Sequence, residues 1–201
     1  MAKISFILIL FFFFLFIIVE TGTEEIVDPK THQQLVKELK MEEGFRSQPY
    51  KNPNDFWTIG YGRNLEGLPL SDREFNYLFP TQSPSKNKLE WLLPYWRLRP
   101  MFQHEAIFLL EEVIDNCEEE ALQVYGDVYK DYVVDVKVIV LDMLYNLGIT
   151  RYKGFKKHIK AIKKHNYTVA AKELRSSLAY KQDTNRYEAM ASTLERINNG
   201  N

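Results

Sequence analysis

The chain has 201 residues, enough for one or two small domains with a real core. Hydrophobic residues make up 45% and charged residues 26%, with only 9 Gly and 8 Pro, which excludes a disordered or collagen-like chain. The formal charge of −1 supplies no global field for nucleic acid, but the sign is uneven: residues 101–150 hold 11 acids against 2 bases, and residues 151–201 hold 12 bases against 4 acids. A basic C-terminal third suits an anionic partner or polymer, or is simply a solvated face. Cys117 is the single cysteine, so no intramolecular disulfide can form.

Met1-Ala2-Lys3 precedes an apolar run from Ile4 to Val19, followed by Glu20-Thr21-Gly22-Thr23-Glu24. One base, an apolar stretch and small residues after it read as a secretory signal peptide over residues 1–23, cleaved near Gly22 or Thr23. An uncleaved anchor is the alternative, because sixteen residues approach the ~17 needed to span a bilayer. The remaining chain, 24–201, is expected to be one α+β unit. From Thr31, apolar residues at Leu35, Val36, Leu39 and Met41 predict a helix, with Thr31 as N-cap and Gly44 as its stop. Aromatic and β-branched residues flanking Asn52-Pro53-Asn54-Asp55 predict a β-hairpin. Ser71-Asp72-Arg73-Glu74 is a capping box opening a short helix, and 80–86 is a polar loop. Residues 103–125 predict one long helix with an acidic face. Val133 to Leu147 is too long for a strand and predicts a buried helix. Three more helical stretches are expected at about 152–164, 167–178 and 185–198. The pattern is a small mixed lobe (about 32–100), a linking helix and an all-helical lobe (about 130–198).

Chemistry concentrates in Glu42-Glu43-Gly44-Phe45-Arg46, Tyr50-Lys51 and Trp57-Thr58-Ile59-Gly60-Tyr61-Gly62-Arg63. A carboxylate that ends a helix and faces a hairpin can be partly desolvated and act as a general acid; alternatively Glu43 merely pairs with Arg46. The whole constellation resembles the phage-type, T4-like lysozymes, which read Glu-Gly-hydrophobic-Arg, a Tyr-Lys-Asp turn and Thr-Ile-Gly-x-Gly. The resemblance continues in Met143-Leu144-Tyr145-Asn146-Leu147-Gly148 with Gly154-Phe155, and in Tyr180 with Thr184-Asn185-Arg186. It covers about 32–198 and is weakest between 67 and 103.

That resemblance implies a glycoside hydrolase that needs no metal or cofactor. Glu43 would be the general acid, and Thr58 would help place the attacking water. Asn64, Tyr145 and His158 would line the saccharide cleft, with Asn185 and Arg186 close to the acid. Tyr145 also reads as core packing, and His158, in a run with Lys156, Lys157 and Lys160, as a solvated surface histidine. One position departs from the family. The second carboxylate, nine residues after the acid, is here Asn52, and an amide can orient a water but not take its proton. A shifted turn would let Asp55 stand in; otherwise Asp55 is an ordinary turn aspartate. Arg63 replaces a His often found there, and the position of its expected acidic partner on the linking helix is Val113.

The implied function is a secreted, monomeric, antibacterial or bacteria-digesting muramidase acting on peptidoglycan, with no nucleic-acid partner. The alternatives are a lysozyme-fold protein that holds glycan without cutting it, and a membrane-anchored form. Asn166-Tyr167-Thr168 is a glycosylation sequon that matters only in a glycosylating secretory route.

Overall fold

A computed structural model describes residues 28–199. The segment expected to be a signal peptide or anchor lies outside the described residues. Among those described, no helix is long and apolar enough to cross a membrane.

The first helix, α1, runs Pro29–Glu43. It begins three residues before its expected start, because Asp28 rather than Thr31 is the N-cap: the Asp28 carboxylate accepts from the Thr31 amide at 3.0 Å, and Pro29 suits the first turn. Thr31 is instead fully buried inside the helix. Gly44, at φ 64°, ends it in a conformation that favours glycine.

Three antiparallel strands follow in the order β1 (Arg46–Lys51), β2 (Trp57–Gly60) and β3 (Arg63–Asn64). Tyr50 faces Thr58, which faces Asn64, so these three share one side of the sheet. Ile59, on the other side, is fully buried in the small-lobe core with Phe75 and Trp96. Helix α2 (Asp72–Leu78) carries the expected capping box, with both Ser71 and Glu74 bonds formed.

Helix α3 (Leu89–Leu98), missed in the sequence because Pro94 lies inside it, packs against β1. Pro94 sits in the middle of the helix rather than its first turn, where a ring nitrogen without N–H normally breaks the periodic pattern.

Helix α4 (Gln103–Tyr125) links the lobes and packs on β2 and on α5 (Val134–Tyr152). The apolar run in α5 is buried on nearly every side, from Val136 through Leu144, which fixes it as the central helix of the large lobe. Its backbone breaks at Gly148 (φ 69°). The lobe is completed by α6 (Lys156–Lys163), α7 (Tyr167–Arg175), α8 (Leu178–Gln182) and α9 (Thr184–Asn199). The fold is the expected lysozyme-like α+β arrangement, with α8 a further short turn that the periodic pattern did not separate from its neighbours.

Candidate active site

Glu43 is the last residue of α1, so its side chain leaves the helix where the two lobes meet. Arg186, on the first turn of α9, donates Nη1 to Glu43 Oε1 at 3.1 Å. Arg46 is not the partner; its guanidinium lies over the Tyr50 ring at 4.2 Å. Glu43 remains 23% exposed, open to a ligand on one side. On the other side it lies against Gly62. A Cβ at Gly62 would sit 2.8 Å from Glu43 Oε2 and 3.3 Å from the Tyr145 hydroxyl, and φ there is +79°. Glycine is therefore required twice over, by backbone conformation and by the approach of the carboxyl group. The Tyr145 hydroxyl donates to the Tyr61 carbonyl. This draws α5 onto the β2–β3 turn, so Tyr145 is a structural clamp as well as a wall of the site.

A fourth member was missed in the sequence. Asp142, on α5, accepts from Arg186 Nε at 3.0 Å and from Nη2. Arg186 thus bridges two carboxylates, one buried and one partly exposed at the end of α1. Burial pushes the Asp142 carboxyl up to about 6 although Arg186 pulls the other way, which leaves it ionised at neutral pH. The signal was present: an acid within Val138–Leu144, an otherwise apolar buried run, requires a cation partner.

Thr58 is buried, and its hydroxyl donates to the Phe56 carbonyl at 3.0 Å, leaving oxygen lone pairs to accept from water. Asn52 serves the turn: its Oδ1 accepts from the Asn54 and Phe56 amides, both at 3.0 Å. Asp55 stands at the hairpin tip with φ +64°, its side chain 90% exposed and 3.9 Å from Lys51 Nζ. Asn64 closes the loop after β3, with Oδ1 accepting from Glu66 and Gly67 amides at 3.0 and 2.7 Å. Asn185 is exposed on α9 beside Arg186.

His158 is not a solvated surface residue. It is buried, with Nδ1 3.0 Å from the Ala170 carbonyl, which can only accept, so Nδ1 carries the proton. Burial lowers its pKa and keeps the ring neutral. The histidine lies in the wall of a cleft of about 1240 Å³ between Asn54 on the hairpin and Asn146, Arg151 and Lys157 on the large lobe.

The ion pair expected to be lost is rebuilt elsewhere. Buried Arg63 donates to Glu74 Oε2 at 2.8 Å, so its acid comes from α2 rather than α4, and Val113 packs as a half-buried apolar residue. Among the described residues no group of three or more His, Cys, Asp or Glu is arranged to hold a metal ion.

A family model described as phage lysozyme matches residues 40–189, which spans the acid, the hairpin, the central helix and Arg186. The chain belongs to the phage lysozyme family. It is also similar to a protein of Dictyostelium discoideum named probable T4-type lysozyme 1, with 24% identity over 165 residues covering 78% of this chain and 91% of that protein.

Proposed function

We propose that the chain is an exported lysozyme that hydrolyses the β-1,4 bond between N-acetylmuramic acid and N-acetylglucosamine in peptidoglycan. The observation that carries this is the placement of Glu43: a half-buried carboxyl at the junction of the lobes, fixed by Arg186 and pressed against Gly62. Protonated Glu43 gives its proton to the glycosidic oxygen as the C–O bond breaks. Positive charge develops at the anomeric carbon, and a water held beside Thr58 adds there, losing its proton to solvent because Asn52 cannot accept it. General-base assistance contributes about 10²–10⁴ in rate, so turnover is slower by that order than with a carboxylate at position 52.

The second reading, a glycan-binding protein that does not cut, is favoured by Asn52, whose Oδ1 is already engaged by two backbone amides. Release of reducing ends from purified peptidoglycan by wild type, Glu43→Gln and Asn52→Asp separates the two. The lysozyme reading expects release by wild type, loss in Glu43→Gln and a gain in Asn52→Asp. Release by Asn52→Asp alone identifies the natural protein as the binder. Unimpaired release by Glu43→Gln overturns the assignment of the acid. Export and cleavage near residue 23 rest on the N-terminal apolar run, and N-terminal sequencing of the exported protein tests them: a start at Met1 refutes cleavage.

A further inference from the structure

Helix α6 reads Lys-Lys-His-Ile-Lys-Ala-Ile-Lys. His158, Ala161 and Ile162 turn into the core, and the lysines are left outside. Lys153, Lys156, Lys160, Lys163 and Lys164 line a shallow groove of about 520 Å³ on the outer side of the large lobe, with half-buried Ile159 among them.

The fold's own electrostatics explain only part of this cluster. Helix ends favour cations at the C-terminus, which accounts for Lys153 as the C-cap of α5 and for Lys160, Lys163 and Lys164 at the end of α6, whereas Lys156 opens α6, where the helix dipole repels positive charge. Lysines spaced by three and four along one helix also repel each other. Among the described residues none of the five is in an ion pair, although Arg63, Arg99, Arg175 and Arg186 all are. Glu120 on α4 is an acid that feels Lys153. Lys163 lies over the Tyr125 ring at 5.7 Å, and the remaining repulsion, among Lys156, Lys160 and Lys164 above all, is left for something outside the chain to neutralise.

We infer that this groove is a binding site for a phosphodiester polymer of the bacterial wall, held while the attached glycan lies in the cleft. The inference rests on the lysozyme reading for its substrate and on two structural observations for its chemistry. First, Lys156 lines both the groove and the cleft that holds His158 and Asn54, so the basic strip runs into that cleft. Second, the apolar side of α6 is spent on the core, so no apolar face is left to enter a lipid surface, as a membrane-bound amphipathic helix requires. The lysines are point charges on flexible stems, suited to a repeating phosphate and not to a planar, bidentate anion.

The test uses the full chain and insoluble sacculi in two forms, one carrying its phosphodiester wall polymer and one acid-stripped of it. Cosedimentation reads binding, and reducing-end release from stripped sacculi reads hydrolysis separately. Wild type should bind the polymer-bearing form more tightly, with binding that falls as salt rises. Replacing Lys153, Lys160 and Lys164 together by Gln should weaken that binding about 10-fold at low salt and reduce the salt slope by about 2, with release from stripped sacculi unchanged. Equal binding of wild type to both sacculi, or a triple variant that binds like wild type, overturns the inference. So does wild-type binding to vesicles of phosphatidylglycerol and phosphatidylcholine that matches sacculus binding and is lost in the same variant. Absence of reducing-end release by wild type would count against the lysozyme reading while leaving the binding comparison intact.

Discussion

Replacing Arg186 by Gln removes a group that joins α9 to both α5 and the end of α1. The guanidinium gives Nε and Nη2 to Asp142 and Nη1 to Glu43. An amide has a single nitrogen to donate from and carries no charge. Glu43 is partly exposed and can turn to water, but Asp142 is 5% exposed and cannot. Removing one partner of a buried pair typically costs about 3–5 kcal/mol, and most of that should fall on Asp142. The pH dependence follows from its carboxyl, which is already raised from 3.8 to about 6 by burial with the cation present. Without Arg186 it rises further. A carboxyl raised in the folded state loses stability as pH climbs from its unfolded value through its folded one. The penalty of Arg186→Gln should therefore be full near pH 8 and shrink toward pH 4.5, where Asp142 is protonated. Urea unfolding at pH 4.5, 6 and 8 measures it. Adding Asp142→Asn should recover about 2 kcal/mol or more at pH 8 and little at pH 4.5. A loss that is the same at every pH, or a double variant no more stable than the single one, refutes the reasoning.

Other outcomes follow from the same geometry. Gly62→Ala, with its Cβ placed 2.8 Å from Glu43 Oε2 at φ +79°, should cost about 1–3 kcal/mol in unfolding free energy. It should also lower turnover by about 10²-fold through displacement of the acid. Asn52→Asp keeps both acceptor bonds to the Asn54 and Phe56 amides, so its Tm at pH 7 should not fall; a clear drop would show that the amide nitrogen carries the turn. Glu118 is buried beneath the Tyr129 hydroxyl, and burial pushes its carboxyl up from 4.5 to about 7. Its ionisation thus costs stability as pH rises through that window, and Glu118→Gln should gain about 2–3 kcal/mol at pH 8 while matching wild type below pH 4.5. A thermal melt series across pH checks the convergence.

Local patterns in the chain specify most of the elements. The Ser71–Glu74 capping box, the stop at Gly44 and the hairpin around Asn52–Phe56 are short-range physics, and a reader of the sequence can place each of them. The same holds for the central helix, whose apolar run is too long for a strand. Glu43 and the Gly60-Tyr61-Gly62 turn were likewise legible, because both lie within one continuous motif. What needed the tertiary structure are the pairings between distant segments. Asp142 meets Arg186 across 44 residues, and Arg186 meets Glu43 across 143. Arg63 finds its acid in Glu74 on α2, because position 113 is a valine and holds no carboxylate to offer. The run Lys156-Lys157-His158 gave no hint that its histidine is buried, since one residue's rotation about the helix axis decides whether it faces water or Ala170. Sequence alone determined most of the helices and strands and the place of Glu43 at the end of the first helix, because those depend on neighbours a few residues apart. Only the folded chain decided which charges meet, because burial makes a partner compulsory and packing chooses it.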